Sequence, residues 1–199
     1  MKKFCIIGIA GFVAKKHLNC IKDINGELIA ACDLHDNVGY MDNYFPEALF
    51  FKDEKNFFTF VKKNNPDFLI ICSPSNLHFK HIKLGLTSNV NIIVEKPPVI
   101  NENHLKQIYK LEKKYKKKCY CIFQLRLNEK IIKLKKDIEK SNKINEVKIF
   151  YTTYRGDWYF KTWKNIKKLS GGLGVNIGIH FFDILIWIFG DLKEIKIKK

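Results

Sequence analysis

The segment Asn91-Ile92-Ile93-Val94-Glu95-Lys96-Pro97-Pro98 decides the fold class of this chain. Its first four residues form a short apolar run after a polar turn, which is typical of a buried strand. Two prolines end the run, because proline has no N–H to donate to a sheet. Parallel sheets bind ligands at the carboxyl ends of their strands, so Lys96 is predicted to take part in the chemistry of a ligand site and not merely to keep the surface soluble.

Strands and helices alternate on both sides of this segment, over residues 1–122. Strands are predicted at Phe4–Ile7, Leu28–Cys32 and Phe68–Cys72. A helix is predicted after the first and the third, and a looser segment after the second. Such βαβ alternation predicts an α/β fold, a Rossmann-type parallel sheet with right-handed crossovers.

Residues 123–199 follow a different pattern, which predicts the first part of an α+β substrate domain. The predicted elements are a helix over Asn128–Lys140, a long alternating strand at Glu146–Tyr154, a hydrophobic helix from about Val175 to Phe189, and a final strand at Lys193–Lys199.

A glycine turn, Gly8-Ile9-Ala10-Gly11-Phe12-Val13-Ala14, joins the first strand to the first helix. Dinucleotide-binding folds need glycine here, because the backbone approaches a pyrophosphate at the helix N-terminus. The spacing is one residue longer than the usual G-x-G-x-x-G/A pattern. Asp33 ends the second strand, and a carboxylate there binds ribose hydroxyls and repels a 2′-phosphate. This arrangement favours NAD over NADP.

The formal net charge of +16 raises the question of nucleic-acid binding. Of the 36 basic residues only Arg126 and Arg155 are arginines, and the lysines fall at polar helix positions, which is typical of a solvated surface. We expect no nucleic-acid partner. No apolar stretch reaches the roughly 20 residues that span a bilayer, so no membrane segment is expected. The cysteine spacing predicts no metal site and a reduced, cytoplasmic protein.

A hydrophobic helix near the C-terminal end carries three polar side chains. Asn176, His180 and Asp183 lie at positions i, i+4 and i+7 and are predicted to share one face. Three polar residues on one stripe of so apolar a helix predict that they line a site.

Four motifs in order resemble the Gfo/Idh/MocA oxidoreductase family: the glycine turn, Asp33, Ser73-Pro74-Ser75-Asn76-Leu77-His78 and Glu95-Lys96-Pro97. Several stretches are similar to its branch of UDP-N-acetyl-2-amino-2-deoxyglucuronate 3-dehydrogenases. These stretches are Gly11–His17, Phe123–Arg126, Tyr154–Lys164 and Asn176–Asp183. Members of the family are longer, so the resemblance implies that most of the second domain's sheet is absent.

The resemblance implies a site for NAD and a UDP-sugar acid. It makes His180 the general base and Lys96 the donor to the reacting oxygen, with a cis Lys96–Pro97 bond. The cofactor-binding residues implied are Gly8, Gly11, Phe12, Val13, Asp33, Ser73, Pro74, Asn76, His78, Glu95, Lys96 and Gln124. The substrate-binding residues expected are Arg126, Arg155, Lys161, Trp163, Asn176 and Asp183. The resemblance also implies NAD regeneration by 2-oxoglutarate, and we expect a homo-oligomer for the full-length protein.

Three alternatives to this function stay open from the sequence alone. They are a dehydrogenase of another sugar or cyclitol, an inactive dinucleotide-binding remnant, and a basic nucleic-acid binder. Binding of NADH, turnover of a sugar nucleotide and salt-sensitive DNA affinity separate these alternatives.

Overall fold

The computed structural model describes residues 1–141, 146–194 and 196 of the chain. It divides into two compact units, Met1–Ile122 and Phe123–Lys199.

The first unit is built on six parallel strands flanked by helices. In chain order its strands and α-helices are β1 (Lys3–Ile7), α1 (Ala14–Asp23), β2 (Glu27–Cys32), β3 (Leu49–Phe51), α2 (Glu54–Asn64), β4 (Phe68–Ile71), α3 (Ser75–Thr87), β5 (Asn91–Val94), α4 (Glu102–Tyr115) and β6 (Cys119–Cys121). A short 3-10 helix, Gly39–Asn43, lies between β2 and β3. The predicted Rossmann-type parallel sheet is confirmed.

The strand order is β3-β2-β1-β4-β5-β6. The chain therefore moves outward from β1 in one direction and outward from β4 in the other. Open parallel sheets bind dinucleotides at the crevice between such a pair, outside the carboxyl ends of the strands. The loops after β1 and β4 meet at this point.

Alternate residues of the central strands pack into two separate cores. Ile7 and Ile71 join one core with Phe57 of α2, whereas Ile6 joins the other core with Leu18 of α1. Burial on both faces explains why these strands are continuous apolar runs and not alternating ones. The sheet is thereby held rigidly enough to position loops at its edge.

The second unit contains helices and extended segments. Its α-helices are α5 (Glu129–Glu139), the one-turn α6 (Asp157–Phe160) and α7 (Lys167–Ser170), and α8 (Ile179–Phe189). A π-helical turn at Gly174–Gly178 precedes α8, and short 3-10 helices lie at Gln124–Leu127 and Trp163–Asn165. The side chain of Lys135 on α5 donates a 2.9 Å hydrogen bond to the carbonyl oxygen of Trp187 on α8. This contact is one of those that hold α5 against α8.

The predicted strand at Glu146–Tyr154 is wrong for this structure. The segment forms no strand or helix, and Phe150 and Tyr154 are about nine-tenths exposed. An isolated strand leaves its backbone N–H and C=O groups unpaired, and the described part of this unit has no strand beside it. The predicted strand at Lys193–Lys199 falls largely outside the described residues.

The helical run Lys167–Phe189 is 23 residues long and apolar enough, by length and composition, to cross a bilayer. The core helix of a protein outside membranes passes the same test. The sequence predicted a helix that begins near Val175, whereas the helical run begins at Lys167 and includes less apolar residues at its N-terminal end.

Candidate functional site

The glycine turn after β1 approaches the end of β4 very closely. Gly8 has a φ of +85°, and a Cβ placed on it would lie 2.4 Å from the backbone nitrogen of Ser73. The amide of Gly8 donates to the carbonyl oxygen of Cys32 at 2.8 Å, and the amide of Gly11 donates to the carbonyl oxygen of Gly8 at 3.0 Å. Only glycine fits the first position, because the left-handed backbone and the neighbouring main chain both exclude a side chain.

Asp33 fastens this turn to the end of β2. One carboxylate oxygen accepts a 2.9 Å hydrogen bond from the amide of Ala10, and the other accepts one of 3.0 Å from the amide of His35. The Tyr40 hydroxyl donates to the carbonyl oxygen of Ile9 on the same turn. The turn is therefore fixed from two sides, while lone pairs of the Asp33 carboxylate stay available for hydroxyl donors.

The first turn of α1 fits a bound phosphate group. Val13 precedes the helix without a side-chain hydrogen bond to its amides, and the first turn carries no acidic residue. The side chain of Phe12 is 85% exposed beside it. An anion at this helix start is favoured by the helix dipole, while the amides of Ala14 and Lys16 donate to the carbonyl oxygens of Gly11 and Val13. The cradle at Gly8 and Gly11, this helix start and the Asp33 carboxylate together fit the pyrophosphate and ribose of a dinucleotide.

Lys96 follows β5 at the same edge of the sheet, and its side chain is half-buried. The Lys96–Pro97 peptide bond is cis, as expected. The preceding residue, Glu95, lies 2.9 Å from the Nε2 atom of His17 on α1. Both of these side chains are largely buried. The segment that carries the lysine is thus tied to the helix that begins at the glycine turn.

His78 on α3 holds the other side of this segment. Its Nδ1 atom lies 2.7 Å from the carbonyl oxygen of Pro97, and its Nε2 atom lies 2.7 Å from the carbonyl oxygen of Ser73. Burial lowers the pKa of His78, although the two carbonyl oxygens and Glu95 oppose the effect. The ring therefore bridges the ends of β4 and β5, and it contacts main chain on both sides.

Glu95 makes the stability of this region depend on pH. Burial raises the pKa of the Glu95 carboxyl, but the hydrogen bond and charge of His17, with help from Lys96, hold that pKa below its usual value. The carboxylate therefore adds stability above its unfolded pKa of about 4.3, and this contribution is lost as the pH falls through the folded pKa. We expect Glu95→Gln to lower the free energy of unfolding by about 1–2 kcal/mol at pH 7.

Urea unfolding at pH 7 and at pH 4 measures this effect. The difference between wild type and Glu95→Gln should shrink at the lower pH, and Glu47→Gln, which alters an exposed carboxylate, should change little at either pH. A difference that grows at pH 4 would contradict the assignment.

In the second unit the polar side chains of the C-terminal helix separate into two groups. Asn176 is buried within the π-helical turn, whereas His180 and Asp183 lie one turn apart on α8. A π turn contains more residues than an α turn, so the spacing of Asn176 from the other two differs from the expected α-helical stripe. Such turns recur at functional sites.

Two expected substrate ligands bind each other. The Nε atom of Arg126 donates a 2.8 Å hydrogen bond to one oxygen of Asp183, and the Nη2 atom donates one of 2.5 Å to the other oxygen. The Asp183 side chain is only 8% exposed. Such a two-point contact is the strong form of the ion pair. It assigns the Asp183 carboxylate to orienting Arg126 in this structure.

The remaining expected ligands lie on the segment before α7 and after β6. The guanidinium of Arg155 lies 5.5 Å from the centre of the Tyr159 ring, its Nε atom is buried, and Trp163 is half-buried. Lys161 and Gln124 are exposed. Burial and the charge of Arg155 lower the pKa of nearby Lys164, so two cations lie close together here.

Three side chains at the sheet edge were not predicted from the sequence: His17, His81 and Glu54. The His17 contact joins residues 78 positions apart, and the contact of His81 with Glu54 spans 27 positions. The repeated histidine at positions 78 and 81 is the one signal that the sequence offers for them.

Two family models match this chain. Residues 2–123 match the family model described as oxidoreductase family, NAD-binding Rossmann fold, and residues 135–198 match the C-terminal alpha/beta domain of the same family. The putative oxidoreductase YteT of Bacillus subtilis is 29% identical over 156 residues, which are 75% of this chain and 36% of that protein.

Two crystal structures of the WlbA (WbpB) dehydrogenase of Thermus thermophilus are similar over 98% of this chain, at 37% identity. The structure with NAD and UDP-GlcNAcA has a TM-score of 0.94 and is covered over 65% of its length. The structure with NAD and alpha-ketoglutarate has a TM-score of 0.93 and is covered over 64%.

The chain thus spans about two thirds of the Thermus protein and 36% of YteT. Its first unit is an NAD-binding Rossmann domain, and the chain belongs to the Gfo/Idh/MocA oxidoreductase family.

Proposed function

We propose that this chain belongs to an NAD-dependent dehydrogenase that oxidises the 3-hydroxyl of a UDP-N-acetylated glucuronate. The observation that carries the proposal is the position of Lys96, on a segment tied down on both sides, at the sheet edge that bears the dinucleotide cradle. The similarity to the Thermus dehydrogenase with NAD and UDP-GlcNAcA supports this substrate class. NAD, when bound, accepts a hydride from the carbon that is oxidised.

Lys96 is proposed to donate a hydrogen bond to the reacting oxygen. An ammonium group at that oxygen stabilises the charge that develops as the hydroxyl loses its proton. The contacts of His17 with Glu95 and of His78 with Pro97 hold the segment on both sides of Lys96 before substrate arrives. A donor carried on a fixed main chain needs less reorganisation during the reaction.

His180 is proposed as the group that accepts the hydroxyl proton, as an imidazole on α8. Arg126, oriented by Asp183, and Arg155, beside Tyr159, are proposed anchors for the anionic groups of the sugar nucleotide. Lys161, Trp163 and Asn176 remain proposed substrate ligands. A cytoplasmic homo-oligomer, regeneration of NAD by 2-oxoglutarate, and the absence of nucleic-acid and membrane partners remain predictions.

The first test is a titration of the wild-type chain with NADH, followed by fluorescence. We expect a saturable increase that NAD displaces, and NADPH to bind at least about tenfold more weakly, because Asp33 repels a 2′-phosphate. Absence of NADH binding would contradict the dinucleotide site.

The second test is the reduction of NAD with UDP-N-acetylglucosaminuronate, compared with myo-inositol and with UDP-glucuronate. We expect turnover of the N-acetylated sugar acid above the other two. Turnover of myo-inositol alone would favour the alternative of a cyclitol dehydrogenase, and NADH binding without any turnover would favour a binding remnant.

A further inference from the structure

A chain of three polar side chains runs from the surface to the dinucleotide-binding edge. The hydroxyl oxygen of Ser73 lies 2.8 Å from the Nδ1 atom of His81, and the Nε2 atom of His81 lies 3.1 Å from a carboxylate oxygen of Glu54. The other Glu54 oxygen accepts a hydrogen bond from Lys80. His81 is 1% exposed, so water does not replace these partners.

The chemistry of the partners fixes the positions of the protons. Burial raises the pKa of the Glu54 carboxyl, but the hydrogen bonds and charges of Lys80 and His81 outweigh burial and lower that pKa. The Glu54 carboxyl is therefore ionised and can only accept hydrogen bonds. Burial lowers the pKa of His81, so the ring is neutral and carries one N–H. That N–H lies on Nε2, facing Glu54. The Nδ1 atom is then an acceptor, and the Ser73 hydroxyl must donate to it.

Ser73 lies at the sheet edge where the dinucleotide is proposed to bind. It follows β4, at the reversal of strand order between β1 and β4, and its backbone nitrogen touches the glycine turn. With its proton directed to His81, its oxygen retains only lone pairs. It therefore binds a hydrogen-bond donor and does not bind a phosphate oxygen, which accepts only.

We propose that His81, oriented by Glu54, is a positioning residue that makes Ser73 a fixed hydrogen-bond acceptor for a donor group of the dinucleotide, a ribose hydroxyl or the carboxamide NH₂. The inference rests on dinucleotide binding and not on the sugar substrate. It assigns His81 and Glu54 to cofactor binding although neither belongs to the motifs that identify the family in this sequence.

The tautomer is tested first, without cofactor, by ¹⁵N NMR of protein labelled at histidine. The signals of His81 are assigned by their loss in His81→Asn. We expect a protonated Nε2 and an unprotonated Nδ1 at pH 7. A protonated Nδ1 would overturn the proposal, because the ring would then donate to Ser73 and free its hydroxyl proton.

Fluorescence titration with NADH tests the consequence. We expect Ser73→Ala and His81→Phe each to weaken NADH binding about tenfold, and the double variant to bind no more weakly than either. His81→Asn keeps an acceptor near the Nδ1 position and should lose only about threefold. His104→Phe, which replaces a half-buried histidine on α4 stacked on Phe79, is the matched control and should bind as the wild type does.

Additive losses in the double variant, or wild-type affinity in a folded His81→Phe, would overturn the proposal. Absence of NADH binding by the wild type would overturn the dinucleotide site itself, whereas the NMR result with the wrong tautomer would overturn only the role of His81. If His81→Phe does not fold, His81→Asn and the wild-type spectrum still decide.

Discussion

Replacing Lys96 by methionine is expected to lower kcat for the UDP-sugar acid by about 10²–10³-fold. Methionine keeps most of the length and the apolar stem, but it removes the ammonium charge and all three N–H donors. The donor acts on the oxygen as charge develops, so its loss affects the transition state more than ground-state binding. We expect NADH binding to remain measurable in the variant.

Steady-state kinetics together with NADH titration measure this effect. Lys83→Met, at an exposed position on α3, is the matched control and should leave both quantities unchanged. A Lys96→Met variant with kcat near that of the wild type would exclude the proposed role. Equal loss of kcat and NADH binding would instead make Lys96 chiefly a cofactor ligand.

Gly8→Ala is expected to destabilise the first unit by about 3 kcal/mol and to abolish measurable NADH binding. The new Cβ would lie 2.4 Å from the Ser73 nitrogen and 2.5 Å from the Cys72 carbonyl carbon, so the main chain that follows β4 would have to move. The φ of +85° adds backbone strain for any residue with a side chain. Any shift of the turn also displaces the start of α1, where the pyrophosphate is proposed to bind.

Urea unfolding and NADH titration check this result. Gly39→Ala is the control, because a Cβ there would meet no heavy atom within 4 Å. We expect it to stay within about 0.5 kcal/mol of the wild type and to bind NADH. A stable Gly8→Ala variant that binds NADH normally would show that the close approach is not required.

The sequence predicted the first unit well, because its signals are local. Apolar runs such as Asn91–Val94 and breakers such as Pro97 need only a few neighbouring residues to be interpreted. Parallel pairing and crossover handedness then follow from general rules. The same reasoning wrongly predicted a strand at Glu146–Tyr154, because alternation shows what a strand could bury but not whether a partner strand lies beside it.

In the candidate site, too, local sequence signals predicted some residues, but they did not predict the contacts between residues distant in sequence. Gly8, Asp33 and Lys96 can be predicted from their residue types at strand ends, since ligands bind there in parallel sheets. The pairing of Arg126 with Asp183 joins positions 57 apart, and no motif links them. The sequence could propose each as a substrate ligand but not that one orients the other.

By itself the sequence determined the parallel sheet, and it predicted the edge at which a dinucleotide binds and the chemical types available there. Only the tertiary structure decided which side chains hold those groups in place, namely His17 on Glu95, His78 on Pro97, and Glu54 and His81 on Ser73. The physical reason is the sequence separation over which each kind of interaction acts. Strand and turn propensities act over a few residues, whereas a hydrogen bond joins any two groups that the fold brings within about 3 Å.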